Sequence, residues 1–546
     1  MEECTADGDS WDIAIVGAGM GGGTLGHALA RAGWRVLFCE MGHARPGMAG
    51  TLCDVYPEQR FGRDPDERKA LLRAAGRFER PLIDESTGRK MPFVPFIGSA
   101  PGGSSALYGM VLERFSAADF EPGACHRGAV DANLPDRWPF DYAALAPYYE
   151  EAERLYRVRG ERDPLRAEES LPPLGQAPAL REPARALAER LVGLGLHPYR
   201  LPLACEFVDG CRGCQGYLCG SSCKNDSARI CVEPAIAEHR ASLLDDCEVI
   251  ELEADRERVT GMVCRRQGKL LRVKARRFVL AAGALATPSL LLRSRSADWP
   301  EGLANRSGLV GRNLMRHFVD LYAVFPKQRP SREWNAKELG CNDYYHRQGE
   351  KLGSIQSFGH LPPGSVIAED LKRDLHQKVH PAAGALFGLV KPLVAPFLDQ
   401  MFARAMILAT IIEDLPYGDN RVLEPDESEA HAIRISYRLR ASEQQRIQTM
   451  RSTMKSVLAG YRHLVIKQAE NNQRIAHACG TCRAGMDPRT SVVDASNRTH
   501  DLENLYIVDA SFFPSSGGTN PALTIAANAL RVAKQLSEQG AKGGAQ

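Results

Sequence analysis

Over the first forty residues the apolar positions change their period. "WDIAIV" (11–16) is a continuous, largely β-branched run, small residues then recur at helical spacing, and "RVLFCE" (35–40) is a second apolar run. The pattern predicts strand, glycine turn, helix and strand, a βαβ unit. From 248 to 294, "EVIELEADRERVTGMVCRRQGKLLRVKARRFVLAAGALATPSLLLRS" alternates as strands do, ends in a buried run, and predicts a helix from about Thr287. Residues 136–157 predict a Pro-started turn and an amphipathic helix. Between 321 and 470 lie strand-like pieces such as "HAIRISYRL" (431–439) and a long helical pattern, "ASEQQRIQTMRSTMKSVLAGYRHLV" (441–465).

The longest apolar region, 384–412, is interrupted by Lys391, Pro392, Pro396, Asp399 and Arg404, which argues against a transmembrane segment. Helices packed in a core are expected there; a lipophilic wall or a membrane-docking lid is the alternative.

A chain of 546 residues exceeds what one hydrophobic core usually serves, so two interlocked domains are expected. The patterns divide it into 1–120 and 236–320 as two parts of one domain, 121–235 as a connecting region, 321–470 as a second domain, and 471–546 as a return to the first. Sixty-nine basic against 67 acidic residues give a formal charge of +2, which points to no nucleic-acid partner. Residues 1–10 hold no apolar run, so no secretory signal is expected and cytoplasmic residence is the default.

Gly17, Gly19 and Gly22 form G-x-G-x-x-G directly after the first predicted strand, and Glu40 closes the second. Such glycines let the backbone approach a pyrophosphate, the following helix turns its positive end to it, and an acid at Glu40's position can bind a ribose hydroxyl. The motif in this context predicts a dinucleotide site.

Five segments in order, "VGAGMGGGTLGHALA" with Glu40, "GGSSALYGMVLERF" (102–115), "FVLAAGALATPSLLL" (278–292), "GLVGRNLMRH" (308–317) and the C-terminal "IAHACGTCRAGMDPRTSVVDASNRTHDLENLYIVDASFFPSSGGTNPALTIAANAL" (475–530), resemble the glucose-methanol-choline (GMC) family of flavin oxidoreductases. The resemblance runs along nearly the whole chain. It implies an α/β fold: a discontinuous Rossmann-like FAD-binding domain with a second, substrate-binding domain of antiparallel sheet backed by helices. It implies FAD, held through Gly17, Gly19, Gly22, Glu40, Gly103, Ser104, Val249, Ala282, Gly283, Asp509, Ala510 and Pro521. Members with covalent flavin carry a histidine where Leu107 stands, so noncovalent FAD is expected. Tyr108 replaces an asparagine common in the family, which implies a differently shaped pocket.

The same resemblance gives the catalytic pair as His477 and Asn520, acting on the CH–OH group of a small-molecule alcohol or sugar. Oxidising an alcohol by hydride transfer to flavin N5 requires a base for the hydroxyl proton, and neutral imidazole suits that task. An asparagine can orient the same oxygen without adding charge. Pro521 is expected at the first position of a helix whose positive end favours negative charge on reduced flavin. The electron acceptor is open between oxygen, a quinone and a redox protein. A redox-neutral lyase and an electron-transfer subunit are the other functions the fold allows.

Of 15 cysteines, six fall between 205 and 231: Cys205, Cys211, Cys214, Cys219, Cys223 and Cys231. Thiolates on glycine-rich loops can converge on an iron-sulfur cluster. Some bacterial members of the resembled family hold a three-iron cluster on Cys-x5-Cys-x3-Cys, whereas Cys214, Cys219 and Cys223 are spaced x4 and x3, and Cys211, Cys219 and Cys223 x7 and x3. An iron-sulfur cluster, a zinc site, a disulfide and reduced thiols all remain open at this stage.

Overall fold

A computed structural model describes residues 2–4, 11–62, 64–126, 128–129, 131–327, 337–347, 350–426 and 432–543. Three distant parts of the chain meet in one parallel sheet, ordered Leu505–Ile507, Ala275–Leu280, Trp11–Val16, Val36–Cys39, Ser242–Leu244. Every residue of Val36–Cys39 is buried, as a strand covered on both faces requires. Helix Met20–Arg31 follows the glycine turn and packs against the last helix, Ala522–Gly543. A second sheet of Glu2–Cys4, Lys269–Val273, Val259–Arg266 and Cys247–Ala254 adjoins this unit.

The other large body is a seven-stranded sheet, ordered Arg462–Ile466, Met315–Phe325, Met406–Ile412, Gly353–Ser357, Leu339–Cys341, Tyr199–Arg200, with Ala476–Cys479 also paired to Met315–Phe325. Strand Met315–Phe325 runs across residue 320, and strand Tyr199–Arg200 comes from the connecting region. Helix Ala441–Val457 backs the sheet: Met450 and Met454 join Tyr322 and Leu408 in one buried cluster, and Arg451 pairs with Asp320 at 2.6 Å.

Two sequence expectations shift and one holds. The helical pattern at 441–465 ends at Val457, and Arg462–Ile466 is an edge strand, because its alternation pairs with Leu321–Phe325. The helix expected from about Thr287 spans Ala286–Arg293. The apolar region 384–412 divides: strand Met406–Ile412 is wholly buried, but helix Pro381–Phe402 buries only Gly384 completely. A short apolar run can be a core strand, whereas the longer one has no layer above it.

Candidate active site

The glycine turn behaves as its motif requires. Gly17 adopts φ +96°, and a Cβ there would lie 2.6 Å from the Ala281 carbonyl oxygen; a Cβ on Gly22 would lie 2.1 Å from that of Gly17. Only glycine lets helix, turn and neighbouring strand approach this closely. Glu40 is buried, accepts the Ala18 amide at 2.8 Å and the Met41 amide at 3.0 Å, and burial raises its pKa. Gly103 (φ +52°) brings the 102–106 turn against Gly19, where its Cβ would stand 3.0 Å from the Gly19 Cα. Ser104 Oγ accepts the Gly98 amide at 3.1 Å.

Asp509, at the end of the last parallel strand, accepts the Gly283 amide at 3.0 Å and the Thr287 hydroxyl at 2.5 Å, which ties "AAGALAT" to the C-terminal segment. A Cβ on Gly283 would meet nothing within 4 Å, so space opens beside Ala282 and Gly283. The Ala510 carbonyl accepts the Gly480 amide at 3.1 Å. Val249 lies in the core, and its carbonyl accepts from Arg293 at 2.8 Å. The glycine cradle and the open ground beside Gly283 fit an elongated dinucleotide such as FAD.

His477 sits at φ +58° in strand Ala476–Cys479, whose register against Met315 and His317 is irregular. Such irregularities re-aim a side chain, here towards His317. The two Nδ1 atoms are 2.8 Å apart, and His317 Nε2 faces the carbonyl oxygens of Ser516 and Gly517 at 3.2 and 3.0 Å. Carbonyls only accept, so His317 Nε2 carries the proton. Burial lowers the His317 pKa to about 4, so the ring is neutral and its Nδ1 is a lone pair. His477 Nδ1 must then donate, which leaves His477 Nε2 as a lone pair available to a substrate. His477 keeps part of its surface accessible, yet desolvation first, and then its closeness to the second imidazole and to Lys337, hold its pKa well below 6.5.

Asn520 is nearly buried, and its Oδ1 has no hydrogen-bond partner among the described residues. A plain helix cap would have spent that oxygen on an amide. The helix begins at Ala522, with the Pro521 carbonyl accepting from the Ile525 amide at 3.1 Å, so Pro521 stands one residue before the expected position. The neighbouring Thr519 hydroxyl donates to buried Glu113 at 2.8 Å, which also accepts from Tyr199 and, at 2.9 Å, from Asn342. The Gly518 amide donates to Tyr345 at 2.7 Å, and Tyr345 to Asp119 at 2.8 Å. Asp119 in turn pairs with fully buried Lys351. The turn before Asn520 is thus held by Glu113 of the first part of the chain and by Tyr345 of the second domain.

Sequence reasoning missed His317, Glu113 and Lys337. The first two were visible as the polar residues of "GLVGRNLMRH" and "GGSSALYGMVLERF". Lys337 had no signal; its burial, which lowers its pKa to about 8, comes only from the fold.

Of the expected thiol set, Cys219 and Cys223 are 3.4 Å apart, while Cys214 donates to Asp54 at 3.6 Å. Cys211, already an alternative ligand by spacing, lies 3.1 Å from Cys223, and the structure adds Cys205, 3.8 Å from Cys211. Cys205, Cys211 and Cys223 present their sulfurs within 4.8 Å of one another, and among the described cysteines none forms a disulfide. Leu107 packs with Ala106 and Leu218, and the Tyr108 hydroxyl donates to the Asn225 carbonyl at 2.6 Å, so this thiol loop lies behind the 102–110 segment.

Residues 20–319 and 416–529 match the two family models described as GMC oxidoreductase. Over 98% of its length the chain is 31% identical to 6'''-hydroxyparomomycin C oxidase of Streptomyces lividus, covering 93% of that protein. It is also 31% identical to paromamine 6'-oxidase of Streptomyces fradiae, over 98% of this chain and 92% of the other. Among solved structures, pyridoxine 4-oxidase from Mesorbium loti superposes with a TM-score of 0.62 at 21% identity, over 97% of this chain and 99% of that one.

Proposed function

This chain belongs to the GMC oxidoreductase family, and we propose that within it the protein oxidises a CH–OH group of a sugar-like alcohol, with His477 as base, Asn520 as orienting group and noncovalent FAD as cofactor. FAD, when bound, supplies the hydride acceptor. The observation that supports the mechanism is the run of contacts from the Ser516 and Gly517 carbonyls through His317 to His477, from which we infer that Nε2 of His477 is unprotonated. That nitrogen takes the hydroxyl proton, and the adjacent neutral imidazole of His317 keeps the ring in the tautomer that can do so. Asn520 orients the alcohol, its side-chain amide N–H donating to the carbinol oxygen.

The sugar-like substrate rests on the two relatives, whose names make them oxidases of paromamine and of hydroxyparomomycin C. The test is anaerobic mixing of the flavinated enzyme with paromamine and with simple primary alcohols. Bleaching of the flavin by paromamine supports the reading. Aldehyde release with no bleaching would support a lyase.

A second reading concerns the thiols. Sulfurs 3.1–3.8 Å apart on one loop suit a thiophilic metal, with Cys205 and Cys211 beside the expected Cys219 and Cys223. Zinc, iron and acid-labile sulfide analysis tests it, and a metal-free, fully active protein would end it.

A further inference from the structure

The segment 364–402 is an antiparallel helical hairpin inserted between neighbouring strands Gly353–Ser357 and Met406–Ile412 of the seven-stranded sheet. Helix Gly364–Asp374 runs out and continues through a π-helical stretch, Leu375–Val379, extended His380 breaks it, and helix Pro381–Phe402 returns. The two helices are fastened together. A Cβ on Gly364 would lie 2.2 Å from the Ala395 carbonyl oxygen, the Gly364 amide donates to Asp399 at 2.6 Å, and Lys391 pairs with Glu369.

Those contacts absorb Lys391 and Asp399, the only charged residues of Pro381–Phe402. The helix therefore shows an uncharged outer surface, and it is apolar: Leu386, Leu389, Leu393 and Phe397, spaced three, four and four residues apart, are 67, 77, 78 and 62% exposed. Mean hydropathy over eighteen of its residues reaches 1.5, a value usual for a core or membrane helix, with 11% of that window buried. A stripe of this size in water calls for a partner.

Charge decides which partner. The hairpin leaves the sheet at the end where Phe325 lies opposite Arg462 and Val324 opposite Met406. At that end Lys327, Arg404 and Arg462 are all exposed. On the first helix, the carboxylates Glu369 and Asp370 are already paired with Lys372, Lys391, Arg373 and Arg474, and the third, Asp374, stands at the helix's outer end. Exposed basic groups thus stand at the base of the hairpin that carries the apolar stripe. A second copy of this face would cover the stripe but offer no anionic group to these basic residues. An anionic lipid surface is complementary to both features.

We propose that the hairpin docks the protein on an anionic phospholipid bilayer. Helix Pro381–Phe402 lies in the interface with Leu386, Leu389, Leu393 and Phe397 among the acyl chains, and Lys327, Arg404 and Arg462 face the headgroups. The helix does not span, because its partner helix Gly364–Asp374 runs beside it carrying charged residues. The inference stands independently of the substrate. It does place the docked face near the site, since Asp370 on the hairpin pairs with Arg474, three residues before His477.

The test is flotation of the full-length holoprotein with vesicles of phosphatidylcholine alone and of phosphatidylcholine mixed with phosphatidylglycerol. Wild type should float with the anionic vesicles and be released by salt. Leu389→Glu with Leu393→Glu should stay at the bottom of the gradient while keeping its flavin and its melting temperature, as fits positions this exposed. Arg404→Glu should weaken binding about fivefold or more, the reach of one basic residue at such a surface. The proposal is overturned if wild type fails to float with anionic vesicles, or if the double variant floats as wild type does. It is equally overturned if wild type instead forms a dimer in solution that the double variant dissolves.

Discussion

The Nδ1 atoms of His317 and His477 stand 2.8 Å apart, and the far nitrogen of His317 is spent on the carbonyls of Ser516 and Gly517. One ring therefore fixes the tautomer of the other. His317→Leu should leave the His477 Nδ1–H without an acceptor in a buried place, a loss of about 1–3 kcal/mol. At tenfold per 1.36 kcal/mol that slows flavin reduction by about 5- to 150-fold. His317→Gln, whose amide oxygen can accept, should restore part of the rate. Equal loss in both variants would make His317 a packing residue only.

Both histidines have pKa values pushed below the ordinary 6.5, chiefly by desolvation. A base with a lowered pKa keeps its lone pair into acid, so the acid limb of the reduction rate should lie below pH 6.5. Folding follows the same sign. Above pH 6.5 the histidines are neutral in both states, and as pH falls from 6.5 towards about 4 the unfolded chain gains protons that the folded His317 refuses. Their share of stability is present above 6.5 and is lost across that window. A rate limb at or above 6.5 would contradict the assigned environment.

Gly22→Ala tests the dinucleotide cradle, because its Cβ would meet the Gly17 carbonyl oxygen at 2.1 Å. The variant should purify with little flavin and unfold at lower temperature, consistent with an overpacking cost of about 1–3 kcal/mol. Flavin absorbance against protein absorbance reads the first effect. Acid precipitation of wild type should release all of the yellow colour, and colour kept in the pellet would refute noncovalent FAD.

Asn520→Ala should slow reduction less than loss of His477 and without moving the pH profile, since an amide does not titrate. Asn520→Asp should lower the flavin reduction potential, because it adds negative charge beside the start of helix Ala522–Gly543. An unchanged potential in a flavinated Asn520→Asp protein would separate Asn520 from the cofactor.

The local signals that could be read from sequence are those in which one segment carries its own context. Gly17, Gly22 and Glu40 lie in a strand–turn–helix–strand unit, so their motif was legible before the sheet was known. The mixed α/β fold followed from the order of motifs. His317 was not legible as a partner of His477, because 160 residues separate them and only the pairing of Met315–Phe325 with Ala476–Cys479 brings the rings together. Cys205 escaped for a related reason: spacing favoured Cys211, Cys214, Cys219 and Cys223, but the loop also folds Cys205 beside Cys211. The exposed helix at 381–402 was misjudged because composition alone does not separate a core helix from one that lacks a covering layer.

The central claim is that Nε2 of His477 takes the substrate's hydroxyl proton, and anaerobic stopped-flow reduction of His477→Ala measures it most directly. With flavin content equal to wild type, the account predicts reduction slower by about 10²–10⁴-fold, the usual reach of a positioned acid–base group. Wild-type reduction rates in a fully flavinated His477→Ala enzyme would contradict it.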